Sequence, residues 1–147
     1  MYKNILVPTD GSPLSRRTIR DAVKMAKKLG AKITGFYVAA PYRIEIYADY
    51  MLPNMPTPQE HDAIAEKTAQ RHLAAVKKAA SANRLGYAGQ YVLSGDPADA
   101  IVKAARKYKC DLIYMGSHGR SGLSKLLLGS HTNKVLELSR IPVLVHR

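Results

Sequence analysis

Two clusters in this chain have the residue types and spacing to hold an anion. The longer begins Gly116-Ser117-His118-Gly119-Arg120-Ser121-Gly122 and ends Gly129-Ser130-His131-Thr132. The shorter is Pro8-Thr9-Asp10-Gly11, close to the amino end. Phosphate oxygens are bound well by converging backbone N–H groups, and glycine leaves no Cβ in their way. Gly116 and Gly119 are expected to let the chain turn tightly against a phosphate. Gly129 and Ser130 stand at a helix start, whose unpaired N–H groups and dipole favour negative charge. The hydroxyls of Ser117, Ser130 and Thr132 add donors, and His118, Arg120, Lys125 and His131 add positive or titratable groups. The segment lacks the Lys-Ser/Thr ending of a Walker A loop, and no aspartate follows in a Walker B setting. No residue stands out as a base for positioning an attacking water.

The surrounding pattern supplies the elements that must carry these clusters. Residues 4–7 form a short apolar run, and Ser12-Pro13 reads as N-cap and first helical residue. Ile19, Ala22, Val23, Ala26 and Leu29 then recur at helical spacing, and Gly30 ends that helix as a left-handed cap. Residues 32–38 read as a second strand, with Gly35 a weak spot or a point of close approach. Residues 39–59 hold four prolines and three tyrosines, a long connection that serves as lid, partner surface or passive crossover. A long helix is expected over 60–85, with Ile64, Ala65, Ala69, Leu73, Val76 and Ala80 inward and Gly86 as its stop. His61 and His72 on that helix read as surface or core-edge residues rather than metal ligands.

Strands follow at 90–93, 111–115 and 142–146. Between them lie a helix begun by Asp96-Pro97 and a short one over 130–138. Strands alternating with helices imply α/β architecture: a single-domain, doubly wound, open parallel sheet with right-handed crossovers and helices on both faces. In such a sheet ligands bind beyond the carboxyl ends of the strands, where strand order reverses. Both clusters stand at such ends. Residues 1–147 are therefore expected to form one domain.

Composition narrows the function classes. Of 147 residues, 46% are apolar and 23% charged, a globular balance. Cys110 is the only cysteine, so neither a disulfide framework nor a cysteine-built metal site fits within one chain. It is expected to be a buried, inert thiol. No stretch approaches the roughly 20 apolar residues of a membrane span, and the opening residues do not form a signal peptide. The cytoplasm is the expected address. The net charge of +12 suggests polyanions, yet the basic residues fall opposite the apolar stripes, as solvated helix faces do. No aromatic residues alternate with them as a base-stacking platform requires, so specific nucleic-acid binding ranks low.

The pattern Gly116, two residues, Gly119, nine residues, Gly129-Ser130 resembles the nucleotide motif of the ATP-binding universal stress proteins. The resemblance spans the chain. It includes Lys3-Asn4-Ile5-Leu6-Val7-Pro8-Thr9-Asp10-Gly11-Ser12 and Gly95-Asp96-Pro97-Ala98-Asp99-Ala100-Ile101. It continues through Asp111-Leu112-Ile113-Tyr114-Met115-Gly116-Ser117-His118-Gly119 and Ile141-Pro142-Val143-Leu144-Val145. It implies five strands in the order 3-2-1-4-5, a Rossmann-like nucleotide-binding α-hydrolase type, and a homodimer paired through residues 142–146. It also implies that adenine lies near Val38, and that Pro8, Thr9 and Asp10 line the nucleoside with Asp10 close to the ribose. Met115, Gly116, Ser117, Gly119, Gly129, Ser130 and Thr132 would surround ribose and phosphates. His131 departs from the family, where that position is usually small and apolar. Its imidazole either donates to the γ-phosphate or points away.

The resemblance points to ATP, or ADP or AMP, and Asp10 is a candidate to help hold an accompanying magnesium ion through water. ATP is expected to act as a bound signal in a stress-response module, with residues 39–59 a candidate relay. The enzymatic alternative is slow hydrolysis or self-phosphorylation, with Ser117, Ser121, Ser124 or Ser130 as acceptor.

Overall fold

Three of the four helices begin by one local rule. In the computed structural model, which describes residues 1–43, 55–119 and 128–147, a capping side chain is followed by a proline each time. Ser12 accepts the Ser15 N–H at 3.1 Å and opens helix α1 (Pro13–Leu29). Thr57 and Glu60 exchange bonds in a capping box and open α2 (Pro58–Ala82). Asp96 accepts the Asp99 N–H at 3.2 Å and opens α3 (Pro97–Lys107). The side chain satisfies an orphan donor while proline's missing N–H costs nothing at that position. The fourth helix, α4 (Ser130–Leu138), starts from Gly129 with no side-chain cap.

Five parallel strands lie between them: β1 (Asn4–Pro8), β2 (Lys32–Ala39), β3 (Tyr87–Leu93), β4 (Leu112–Gly116) and β5 (Val143–His146). Their order is β3-β2-β1-β4-β5, as the resemblance implied. The central strands are apolar on both faces because both are covered. On one side Ile5, Val7, Ile33 and Leu112 meet Ile19 and Val23 of α1 and Val76 of α2. On the other, Leu6, Phe36, Ile113 and Met115 meet Ile101 and Ala105 of α3 and Val135 of α4. Each such fully buried aliphatic side chain stabilises the fold by about 1.5–3 kcal/mol. Cys110 is buried in the second layer, as its apolar surroundings predict.

Gly30 caps α1 at φ 66°, as expected. Gly35 marks a close approach: a Cβ there would lie 3.2 Å from Leu73, Val76 and Tyr87. Elsewhere the structure corrects the sequence reading. Ile64 is 57% exposed, because the buried stripe of α2 runs through Ala65, Ala69, Leu73, Val76 and Ala80. One residue before Ala65 is about 100° around the helix, outside that stripe. The helix stops at Ala82 with Asn83 as its cap, before Gly86, and Arg84 takes the left-handed turn at φ 58°. Strand β3 starts earlier than expected, at Tyr87, because its main chain pairs with β2 from Ile33 onward.

Asn4 ties this frame together. Its Nδ2 donates to the Tyr108 carbonyl at 3.0 Å, and its Oδ1 accepts from the Thr34 hydroxyl at 2.9 Å. Its N–H donates to Asp111 Oδ1 at 3.0 Å. One buried amide thus joins β1, β2 and the turn before β4. Asn4→Leu leaves the buried Thr34 hydroxyl without its acceptor, a loss of about 2 kcal/mol by the usual cost of orphaned buried groups. Urea denaturation at neutral pH checks this; an unchanged midpoint contradicts it.

Candidate functional site

Strand β1 passes through α1 to β2 on one side, whereas β4 passes toward β5 on the other. The chains leaving these neighbours diverge, and a cleft opens beyond their carboxyl ends. A cavity of about 480 Å³ lies there. Its apolar half is walled by Phe36, Val38, Ala40, Pro97, Ile101 and Met115. Its polar half is walled by Thr9, Asp10, Ser15, His118, Ser130, His131 and Thr132, with Gly116, Gly119 and Gly129 between them. Pro8 and Tyr37 complete the wall.

Twelve of the residues singled out in the sequence line this one cavity: Pro8, Thr9, Asp10, Val38, Met115, Gly116, His118, Gly119, Gly129, Ser130, His131 and Thr132. Arg120 lies outside the described residues, as do Ser121, Ser124 and Lys125. Ser117 is not part of the wall. It is buried behind it, at 5% exposure, with its hydroxyl 3.1 Å from His118 Nδ1. Its N–H donates to the His146 carbonyl, and its carbonyl accepts the Gly129 N–H, both at 2.7 Å. Ser117 thus joins the ends of β4 and β5 to the start of α4.

Thr132 also differs from expectation, because its hydroxyl donates inward to the Gly116 carbonyl at 2.9 Å. Sequence reasoning missed Ser15, Phe36, Tyr37, Ala40, Pro97 and Ile101 as wall residues. Ile101 satisfied a core pattern and is indeed buried, yet it serves both roles. Ser15 had a readable signal, standing three residues after the Ser12 cap and so turned back toward the strand end.

The loop after β1 is held by its own side chains. Thr9 donates its N–H to the Phe36 carbonyl at 2.9 Å, and its hydroxyl lies 2.7 Å from that of Ser15. The Ser12 N–H donates to Asp10 Oδ1 at 2.9 Å, which sets the carboxylate at the cavity.

The glycines act by space rather than by turning. Among the described glycines only Gly11 and Gly30 have positive φ, so the tight turns expected at Gly116 and Gly119 do not need glycine. A Cβ on Gly116 would lie 3.2 Å from Leu14 of α1, a packing role. A Cβ on Gly119 would stand 3.0 Å from Asp10 Oδ2, and one on Gly129 3.0 Å from the main-chain Cα of His118. The start of α4 therefore seats against the β4 loop only because Gly129 has no side chain. At the start of α3 the Lys134 ammonium lies 2.5 Å from Asp96, and with the Asp99 N–H it holds that carboxyl below the usual carboxylate range. This pair joins α4 to the cap of α3. Its contribution is present above the unfolded-state value of the aspartate and fades as pH falls through the lowered one.

A parallel, doubly wound sheet with a part apolar, part glycine-lined cavity at its switch point defines an open-sheet class of α/β protein. The chain belongs to the universal stress protein family, whose family model matches residues 1–147. It is 34% identical over 145 residues to universal stress protein MJ0531 of Methanocaldococcus jannaschii, covering 99% of this chain and 82% of the relative. The solved structure of protein MJ0577 from the same organism superposes with a TM-score of 0.81 at 28% identity, covering 99% and 95% of the two chains. A universal stress protein solved in complex with cAMP shares the fold at a TM-score of 0.68 and 24% identity, over 99% and 97% of the chains.

The two glycines at the loop contact differ in what a methyl group would meet. At Gly129 it meets main chain; at Gly119 it meets the end of a flexible side chain. Gly129→Ala is expected to cost about 1–3 kcal/mol, the range for forced backbone shifts, and Gly119→Ala less. Thermal denaturation of the two variants side by side checks the order; the reverse order refutes it.

Proposed function

We propose that residues 1–147 act as one ligand-binding domain that holds ATP, or ADP or AMP, at the carboxyl ends of β1 and β4. The observation that carries this reading is one cavity with an apolar half and a helix start capped by glycine. A nucleoside triphosphate has the matching division. Its base is planar and apolar on both faces, and Phe36, Val38, Ala40 and Ile101 offer it an apolar seat. Its phosphates suit the start of α4, where no cap side chain competes and the dipole favours an anion. Asp10, in the polar half, accepts from ribose hydroxyls. It is also the single carboxylate in the described wall, so an accompanying magnesium ion would take its other positions from phosphate oxygens and water. Family membership, and the cAMP held by a relative of the same fold, support the assignment.

Binding, rather than rapid turnover, is the function proposed, with the nucleotide as a signal in a stress-response module. Ser117, one of the acceptors considered for self-phosphorylation, has its hydroxyl against His118 and lies behind the wall. Incubation with γ-labelled ATP separates the readings: intact nucleotide on the protein agrees with binding, and rapid release of labelled phosphate opposes it. A second copy is proposed to pair along β5, an edge strand whose four residues are all half-exposed in the single chain. Sedimentation at micromolar concentration is expected to give a dimer, and a monomer throughout would refute that part. The cytoplasm is the proposed address, and cell fractionation checks it. Among the described residues no helix is long and apolar enough to cross a membrane.

His131 lines the cavity at the first turn of α4. There its ring can donate a hydrogen bond to a bound phosphate and so strengthen binding. Mass analysis of small molecules freed by denaturing the purified protein is expected to find an adenine nucleotide. Calorimetric titration with ATP is expected to show weaker binding in His131→Val than in the wild type. Absence of any ATP binding sinks the assignment; an unchanged affinity in the variant sinks only the role of His131.

A further inference from the structure

Two imidazoles on α2 approach the cavity from behind, and neither belongs to its wall. The His72 ring lies 5.0 Å from that of Tyr37, centroid to centroid, tilted by 37°. Its Nδ1 and Cε1 atoms fill the space that a Cβ on Gly11 would require. Gly11 follows Asp10 directly and holds φ at 77°, so His72 backs Tyr37 and presses on the loop that presents Asp10. Tyr37 and Asp10 are both wall residues, one from β2 and one from the end of β1. Eleven residues earlier, three helical turns, His61 Nε2 lies 2.9 Å from the carbonyl of Ala40, a third wall residue. A carbonyl only accepts, so this nitrogen carries the proton. The same ring meets Tyr42 edge-on at 5.4 Å. One face of α2 therefore reaches the wall at two places.

We infer that His72, with His61 beside it, is a positioning residue for the ligand. The two rings set where Tyr37, Ala40 and the Asp10 loop stand, and so fix the width of the half that receives the base. The inference rests on the adenine-nucleotide reading and adds the residues that shape its base-side subsite. Removal of the His72 ring frees space behind both Tyr37 and Gly11, and the wall relaxes into it. A ligand that fills the apolar half then loses contact, whether or not it carries phosphates. The start of α4 is on the opposite side of the cleft and is unaffected.

The test compares adenosine with ATP. Calorimetric titrations of both are made on wild type, His72→Ala, His72→Phe, Gly11→Ala and the double variant Gly11→Ala/His72→Ala, with urea stability measured in parallel. His72→Ala is expected to weaken both ligands by the same factor, about tenfold, the size at which contacting residues commonly couple. His72→Phe keeps a ring behind Tyr37 and is expected to restore most of the affinity. Gly11→Ala brings a methyl group against His72 at a positive φ and is expected to weaken binding; the clash, though not the backbone strain, is relieved once His72 is alanine. Part of the loss should therefore return in the double variant.

A purely structural role would lower stability and leave both affinities unchanged. That outcome, with a wild type that binds, overturns the inference and leaves the nucleotide reading standing. A wild type that binds neither adenosine nor ATP overturns both. Should His72→Ala not fold, His61→Ala carries the same test, since it gives up only the bond to Ala40 and the edge contact with Tyr42. Equal weakening of the two ligands is again expected, and unchanged affinity refutes.

Discussion

The site depends on one residue that never reaches it. Ser117 follows β4 directly with both main-chain groups engaged, its N–H on His146 and its carbonyl on Gly129. Buried main-chain groups must find partners, and here the partners are the last residues of one strand and the first of a helix. The end of β5 and the start of α4 are thereby fixed to the same point. Without that knot the helix start would have no defined place relative to the end of β1. The glycine at 129 is its steric condition, since a side chain there would meet the main chain of His118.

Around this point the molecule divides its labour by layer. The α1–α2 layer and the α3–α4 layer each bury a separate apolar cluster against the sheet. The cavity opens where neither layer closes the gap, beyond the ends of β1 and β4. It takes its apolar wall from the second layer and from β2, and its polar wall from the two loops and α4. Rigid elements hold most of the wall, which is what a binding site needs if it is to be formed before its ligand arrives. The Lys134–Asp96 pair, exposed on both sides, adds little stability but joins the two helices whose starts face the cavity.

The histidines show how position sorts one residue type into different work. His118 and His131 stand in the wall, and His118 is braced by the Ser117 hydroxyl. His61 and His72 stand behind it on α2, at the core edge expected of them, and touch the wall through Ala40, Tyr37 and Gly11. His146 lies at the end of β5, 3.7 Å from Asp21 of α1. Residue type alone would have treated these five alike.

Local chemistry already determined the elements and both strand ends that matter. Side-chain caps followed by proline are self-contained signals, and so are apolar runs and helical stripes, because each is decided by neighbours within a few residues. Ten of the wall residues were legible for the same reason, since they occupy two short clusters at strand ends, whereas Val38 and Met115 were named only through the family resemblance. The remainder required the fold. Phe36, Tyr37 and Ala40 gain their place only because β2 lies beside β1, and Pro97 and Ile101 because α3 crosses the opposite layer. Ser117 and Thr132 turned their hydroxyls inward because a partner from another part of the chain was nearer than the cavity. Gly129 needed glycine for a contact with residue 118, not for a turn of its own. Contacts between residues far apart in the chain are set by packing in three dimensions, and no local pattern encodes them.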